Sequence, residues 1–239
     1  MRDWERHLWL TILGPFLWVE GKYVRHVTPR LPEPPGAREG TTGQGPLLRL
    51  LIAGDSAAAG VGAASQDEAL SGRLVERLRP HFTVKWRLLA INGLDSPGLV
   101  KVLEETPVAR FDVVVLSIGV NDVTRLLSPA RWLQWQDKLA GVIQARFKPH
   151  LLIHSAIPPM HAFTALPQPL RWFMGRWATE MNRRLDARLP GKTERILHWP
   201  FREAATEGLA TDGFHPGPVG YDIWAAGLSM VLLLNLPLL

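Results

Sequence analysis

The chain has 239 residues, enough for one sizeable α/β domain and short for two. Apolar residues make up 46% and charged residues 21%, which excludes a disordered chain, and the absence of cysteine excludes disulfides, thiolate metal sites and a cysteine nucleophile. A net charge of +5 suits anionic partners, but the cations are scattered, so a solvated basic surface or a weak attraction to anionic membrane is expected and no nucleic-acid partner.

Residues 8–19, LWLTILGPFLWV, form an apolar stretch interrupted by Gly14 and Pro15. A membrane span needs about 20 apolar residues, and no small-x-small cleavage site follows the stretch. Residues 1–28 therefore read as an apolar helix that either packs on the domain surface or lies in a membrane interface with its Trp residues at headgroup level. Residues 29–46 are dense in Pro and Gly and read as a linker or extended arm, with the compact domain, 47–239, beginning after it.

From there strands and helices alternate. Leu47–Ala53 is a short run that is apolar apart from Arg49, as expected of a buried parallel strand. Ala69–Leu78 has helical character, Thr83–Ala90 is a second strand, residues 98–105 are a short helix, and FDVVVLS at Phe111–Ser117 is a β-branched strand. Pro129–Phe147 is a helix with Pro in its first turn. His150–His154 is a strand, Pro169–Leu189 a long helix, Arg195–His198 a fifth strand and Pro218–Leu234 a final apolar helix. This alternation predicts a parallel sheet of about five strands covered by helices on both faces.

The first strand runs into Gly54-Asp55-Ser56, followed by small residues. In open α/β sheets chemistry collects at the carboxyl ends of strands, and a helical turn beginning at Ser56 would aim its N–H groups at a developing oxyanion. Ser56 could instead be only a helix cap. A nucleotide loop is disfavoured, because the following glycines fail G-x-G-x-x-G and no G-K-[ST] is present. Late in the chain, TDGFHPG places Asp212 and His215 in one loop. A serine hydroxyl needs an imidazole to take its proton, and the imidazole needs a partner that fixes its tautomer. A D-x-x-H loop could also merely cap the last helix. Gly93 and Asn121 lie just past the ends of two further strands. With the Ser56 N–H they would supply three donors to an oxyanion, although each alone could be an ordinary turn residue. The order of Ser, Gly and Asn at successive strand ends, with Asp and His behind them, favours the catalytic reading.

With these blocks in place, residues 47–235 resemble the GDSL/SGNH hydrolase family. Gly54-Asp55-Ser56 resembles the nucleophile block, with Ala57 where the name-giving motif has Leu. Gly93 resembles the second block, Gly119-Val120-Asn121-Asp122 the G-x-N-D block, and Asp212-Gly213-Phe214-His215-Pro216 the D-x-x-H-P block. The resemblance implies a flavodoxin-like three-layer α/β/α fold and hydrolysis of esters or thioesters without metal or other cofactor, with Ser56, Asp212 and His215 catalytic. The expected activity is a carboxylic ester hydrolase, esterase, lipase or lysophospholipase, working through an acyl-enzyme on Ser56. Carbohydrate O-deacetylation, or a silent membrane-associated binding protein, is the alternative.

Residues 155–173 are rich in Pro, Met, Phe and Trp and follow a strand end, so they could hold an acyl chain or simply pack the loop down. Asp55, Met160 and Phe163 are the substrate-contact candidates. His154 and His161 read as structural, and no histidine spacing suggests a metal. The apolar terminus 231–239 could join residues 8–19 in one greasy patch at a membrane surface. The expected location is the cytoplasm or the inner face of a membrane.

Overall fold

The computed structural model describes residues 3–189, 194–197 and 207–236. Six strands form one sheet: β1 (Glu39–Thr42), β2 (Leu47–Gly54), β3 (Thr83–Ala90), β4 (Val113–Ser117), β5 (Leu151–Ser155) and β6 (Glu194–Leu197). Their order across the sheet is β1-β3-β2-β4-β5-β6. β3, β2, β4, β5 and β6 run parallel, and β1 joins the β3 edge antiparallel. The five parallel strands reproduce flavodoxin-like winding, whose switch point lies between β2 and β4. The expected fifth strand is present, but His198 lies outside the described residues.

The helices are α1 (Asp3–Val27), α2 (Ser56–Ala59), α3 (Leu70–Leu78), α4 (Ser96–Glu105), α5 (Val120–Thr124), α6 (Pro129–Phe147), α7 (Leu170–Arg188) and α8 (Pro218–Asn235). Successive side chains of a strand enter opposite layers, which is why Leu50–Ala53 of β2 and Val113–Leu116 of β4 are apolar without a break. Leu50, Ile52, Val113 and Val115 pack under Leu74, Leu78, Trp224 and Leu228 of α3 and α8. Leu51, Ala53, Val114 and Leu116 pack under Leu99, Leu103, Leu139 and Ile143 of α4 and α6. Burying each such side chain contributes roughly 1.5–3 kcal/mol, so these two layers fix which way the sheet faces.

α7 lies beside α6, and α1 lies on α7. Leu17 and Val24 of α1 share a cluster with Phe173, Trp177 and Met181 of α7 and with Phe163 and Leu166 from the loop after β5. The Glu20 carboxylate accepts the Leu170 N–H at 2.9 Å, satisfying a donor in the first turn of α7. α8 packs with α3 on the other face of the sheet, where Leu232 is buried. The two apolar ends of the chain therefore do not meet in a single patch, as far as residue 236.

The arm 29–46 is a correction to the sequence reading. It contains β1, with Glu39 to Thr42 paired against Arg87 to Val84. It is also fastened before that strand: Gln66 N–H donates to Pro35 O at 2.9 Å, Asn92 N–H to the Glu33 carboxylate at 2.8 Å, and Arg38 to Ala90 O. EGTT carries no hydrophobic alternation. Its pairing is chosen by the free backbone edge of β3, which β1 covers.

Tyr221 of α8 ties this framework to the segment after β2. Its fully buried hydroxyl donates to Val61 O at 2.7 Å, just beyond α2. Tyr221→Phe should leave that carbonyl without its partner and lower unfolding free energy by about 1–3 kcal/mol in urea denaturation. An unchanged unfolding free energy would remove the clamp role from Tyr221.

Candidate active site

β2 delivers Ser56 to the switch point through a close contact with β4. A Cβ on Gly54 would collide with the Ser117 carbonyl oxygen, so only glycine lets the strands pass there. The next residue, Asp55, donates its N–H to the same oxygen at 3.1 Å. Its carboxylate then caps α2 by accepting the Ala57 N–H at 3.1 Å, leaving Ser56 as the first helical residue.

The partners arrive from the loop before α8. Ala210 N–H donates to His215 O at 2.8 Å and Gly213 N–H to Ala210 O at 2.9 Å, closing a tight turn. Gly213 has φ +65° and packs against Thr164, where a side chain would be strained and would clash. The turn folds the Asp212 carboxylate back on its own loop, where it accepts Phe214 N–H at 2.9 Å and His215 N–H at 3.0 Å. Asp212 and His215 Nδ1 are 2.6 Å apart, and His215 Nε2 and Ser56 Oγ are 2.9 Å apart. An ionised carboxylate only accepts, so Nδ1 carries the ring proton and Nε2 presents its lone pair to the Ser56 hydroxyl. The chain Asp212–His215–Ser56 can therefore draw a proton from the hydroxyl.

Burial alone would raise the Asp212 carboxyl, but the donors from His215 and Phe214 outweigh it and hold it below the usual carboxylate range. Two other buried carboxyls go the other way. Burial pushes Asp55 up to about 7, against the opposing pull of the Ala57 N–H and His215. Burial pushes Asp122 up to about 6, although its carboxylate accepts the Ser96 hydroxyl at 2.8 Å and the Ser96 N–H at 3.2 Å.

Asn121 and Gly93 are brought together as parts of one bonded unit. Asn121 Nδ2 donates to Leu94 O at 2.8 Å, and Arg125 Nη2 donates to Gly93 O at 3.2 Å. Neither residue lines the pocket beside Ser56. That pocket is narrow, about 50 Å³, with apolar walls including Ile118, Val120, Ile157, Phe163, Leu209 and Phe214. Of the expected substrate contacts, Phe163 is in the wall, 4.8 Å from the Phe214 ring. Asp55 is in the wall too, with its carboxylate engaged as the α2 cap. Met160 is not: it is fully buried in the cluster under α7, because its flexible side chain fills the space between loop and helix. His154 is buried against Glu194 at 3.0 Å, and His161 is exposed in a 3₁₀ turn.

Phe214 and Asp122 are the residues that sequence reasoning passed over. Both sit inside quoted motif blocks, and their neighbours drew the attention. Phe214 stacks edge-on against His215 at 5.3 Å and forms a pocket wall, while Asp122 binds α5 to the start of α4.

A profile of the GDSL-like Lipase/Acylhydrolase family matches residues 52–223. A GDSL-like esterase of Mycobacterium tuberculosis, Rv1075c, is 27% identical over 239 residues, covering 89% of this chain and 74% of that protein. The crystal structure of the lipase Lip_vut3 from a goat rumen metagenome superposes with TM-score 0.61 at 16% identity, over 77% of this chain and 96% of that one. A lipolytic protein of the G-D-S-L family from Veillonella parvula gives 0.64 at 14% identity, over 78% and 98%. A family two carbohydrate esterase from Clostridium thermocellum, in complex with cellohexaose, gives 0.58 at 13% identity, over 80% and 65%. At these identities the structural likeness is one of fold.

The raised Asp55 and Asp122 carboxyls make stability depend on pH with a definite sign. Between about 4 and about 6 to 7 the folded chain holds protons that the unfolded chain releases, so stability should fall as pH rises through that window and level off above it. Thermal unfolding followed from pH 5 to pH 8 checks this, and a midpoint that climbs across the window would contradict it.

Proposed function

This chain belongs to the GDSL-like lipase/acylhydrolase family, and from that premise we propose that it hydrolyses carboxylic esters of short acyl groups through an acyl-enzyme on Ser56. The observation that carries the reading is the continuous hydrogen-bonded line from Asp212 through His215 to Ser56, 2.6 and 2.9 Å long.

His215 Nε2 takes the hydroxyl proton as Ser56 Oγ attacks the ester carbonyl. Asp212 holds the imidazole tautomer and stabilises the imidazolium that forms. The proton passes from His215 to the leaving alcohol. Water, deprotonated by the same ring, then attacks the acyl-enzyme and restores the Ser56 hydroxyl. The Ser56 N–H, the Gly93 N–H and Asn121 Nδ2 are the proposed oxyanion donors. Asn121 has a second amide N–H beyond the one given to Leu94, and the Asp55 carboxylate caps Ala57 rather than Ser56. Losing one such donor costs about 2.7–4 kcal/mol of transition-state stabilisation.

The narrow apolar pocket supports a short acyl group, since Phe163 and Phe214 close its walls. An acetyl group fits the same space. Deacetylation of a carbohydrate is therefore the second reading; a carbohydrate esterase shares this fold, and the pocket's size is what favours it.

A panel of p-nitrophenyl esters from acetate to laurate, run beside acetylated cello-oligosaccharides, should show the fastest turnover on the shortest acyl groups. Phe163→Ala should shift the optimum to longer chains, and Ser56→Ala should abolish turnover. Preference for laurate in the parent protein, or retained turnover in Ser56→Ala, would defeat the reading. Asp212→Asn preserves the shape of the line but supplies the wrong hydrogen-bond partner to Nδ1. Its kcat should fall on the order of 10⁴-fold, whereas a loss below tenfold would take the orienting role from Asp212.

A further inference from the structure

α1 is apolar on the side that it turns away from the domain. Leu8, Ile12, Phe16, Val19, Tyr23 and Val27 recur every three or four residues along that side, and with Trp4 they are each between 46% and 65% exposed. At 1.5 Å per residue this stripe runs the whole length of the helix. The opposite side is already occupied: Leu17 and Val24 are buried against α7 and the loop bearing Phe163. A helix that is apolar on both sides and covered on only one marks a contact surface.

We propose that the outer face of α1 lies flat in the headgroup–acyl boundary of an anionic lipid surface. Among the described residues no helix is long and apolar enough to cross a membrane, and Gly14, Pro15, Glu20 and Lys22 interrupt α1, so it lies in the plane. Trp4, Trp18 and Tyr23 are exposed on it, side chains with an apolar body and a polar tip that suit the headgroup level. The cations are arranged to match. Lys22 Nζ lies 3.8 Å above the Trp18 ring, and Arg25 and His26 occupy the last turn. Across the seam, Arg176 lies over Trp172, which itself meets Trp9 of α1 edge-on. Of the five arginines of α7, Arg183 and Arg184 meet Glu180, Arg188 meets Asp137 and Glu194, and Arg176 stands on this border. This cationic border beside an apolar stripe complements anionic headgroups. A second copy docked on the same stripe would bring the two borders together in a chain that already carries +5.

The contact does not depend on the chemistry proposed for Ser56, so the full chain with Ser56→Ala serves as the parent in the test and leaves the lipid intact. It is sedimented with vesicles of phosphatidylcholine containing phosphatidylglycerol and with vesicles of phosphatidylcholine alone. The parent should bind the anionic vesicles more tightly, less so at high salt. The triple substitution Ile12→Ser, Phe16→Ser and Val19→Ser removes exposed side chains only. It should weaken binding by roughly tenfold or more while the thermal midpoint stays unchanged. Two results would overturn the proposal. One is equal binding by parent and triple variant, or no binding by either. The other is a parent that sediments at equilibrium at twice 26.7 kDa and becomes monomeric in the triple variant, which assigns the stripe to a second copy.

Discussion

Everything at the site depends on how closely β2 passes β4. The Gly54 backbone lies against the Ser117 carbonyl, and Asp55 donates to that same oxygen before its side chain caps α2. These contacts turn the chain within two residues from a buried strand into a helical turn whose first residue is Ser56. A side chain at position 54 would push the strands apart at the point where the sheet reverses its winding. Tyr221 holds the far end of the same turn through Val61, so the segment bearing Ser56 is held by β4 at one end and by α8 at the other.

Three buried carboxyls near Ser56 differ because their surroundings differ. Asp212 meets the His215 ring and two backbone N–H groups and stays ionised. Asp55 receives one backbone N–H in a fully buried place, and Asp122 is shared with Ser96, so for both of them burial prevails. The segment from Gly93 to Ser96 and α5 with its C-terminal cap are bonded into one piece through Asn121, Asp122 and Arg125. The residues proposed for the oxyanion thus rest on a rigid support rather than on two separate turns.

The pocket wall and the N-terminal helix are parts of a single packed unit. Phe163, Leu166, Trp177, Leu17 and Val24 belong to one buried cluster, so the loop that narrows the pocket is held down by α7 and, through it, by α1. Met160 contributes as filling in this unit and not as a contact for substrate. The loop's density of apolar residues has two uses, a wall on one side and a core on the other.

Much of this was legible in the sequence because the signals were local. Unbroken apolar runs such as Val113–Leu116 mean burial on both faces, and small residues after Gly54-Asp55-Ser56 mean a tight turn at a strand end. The spacing Asp212-x-x-His215 lets one loop present both groups. The sequence by itself thus determined the parallel α/β frame, the strand ends that carry Ser56, Gly93 and Asn121, and the family resemblance. Only the tertiary structure decided what depends on a partner distant in the chain. EGTT becomes a strand because β3 offers a free edge. Met160 is buried because α7 covers it. Asn121 spends one N–H on Leu94. The apolar helices α1 and α8 are held apart by the sheet between them. Periodicity could mark residues 8–19 as apolar, but which side faces α7 and which faces outward is settled by packing, since a helix carries no record of its neighbours in its own spacing.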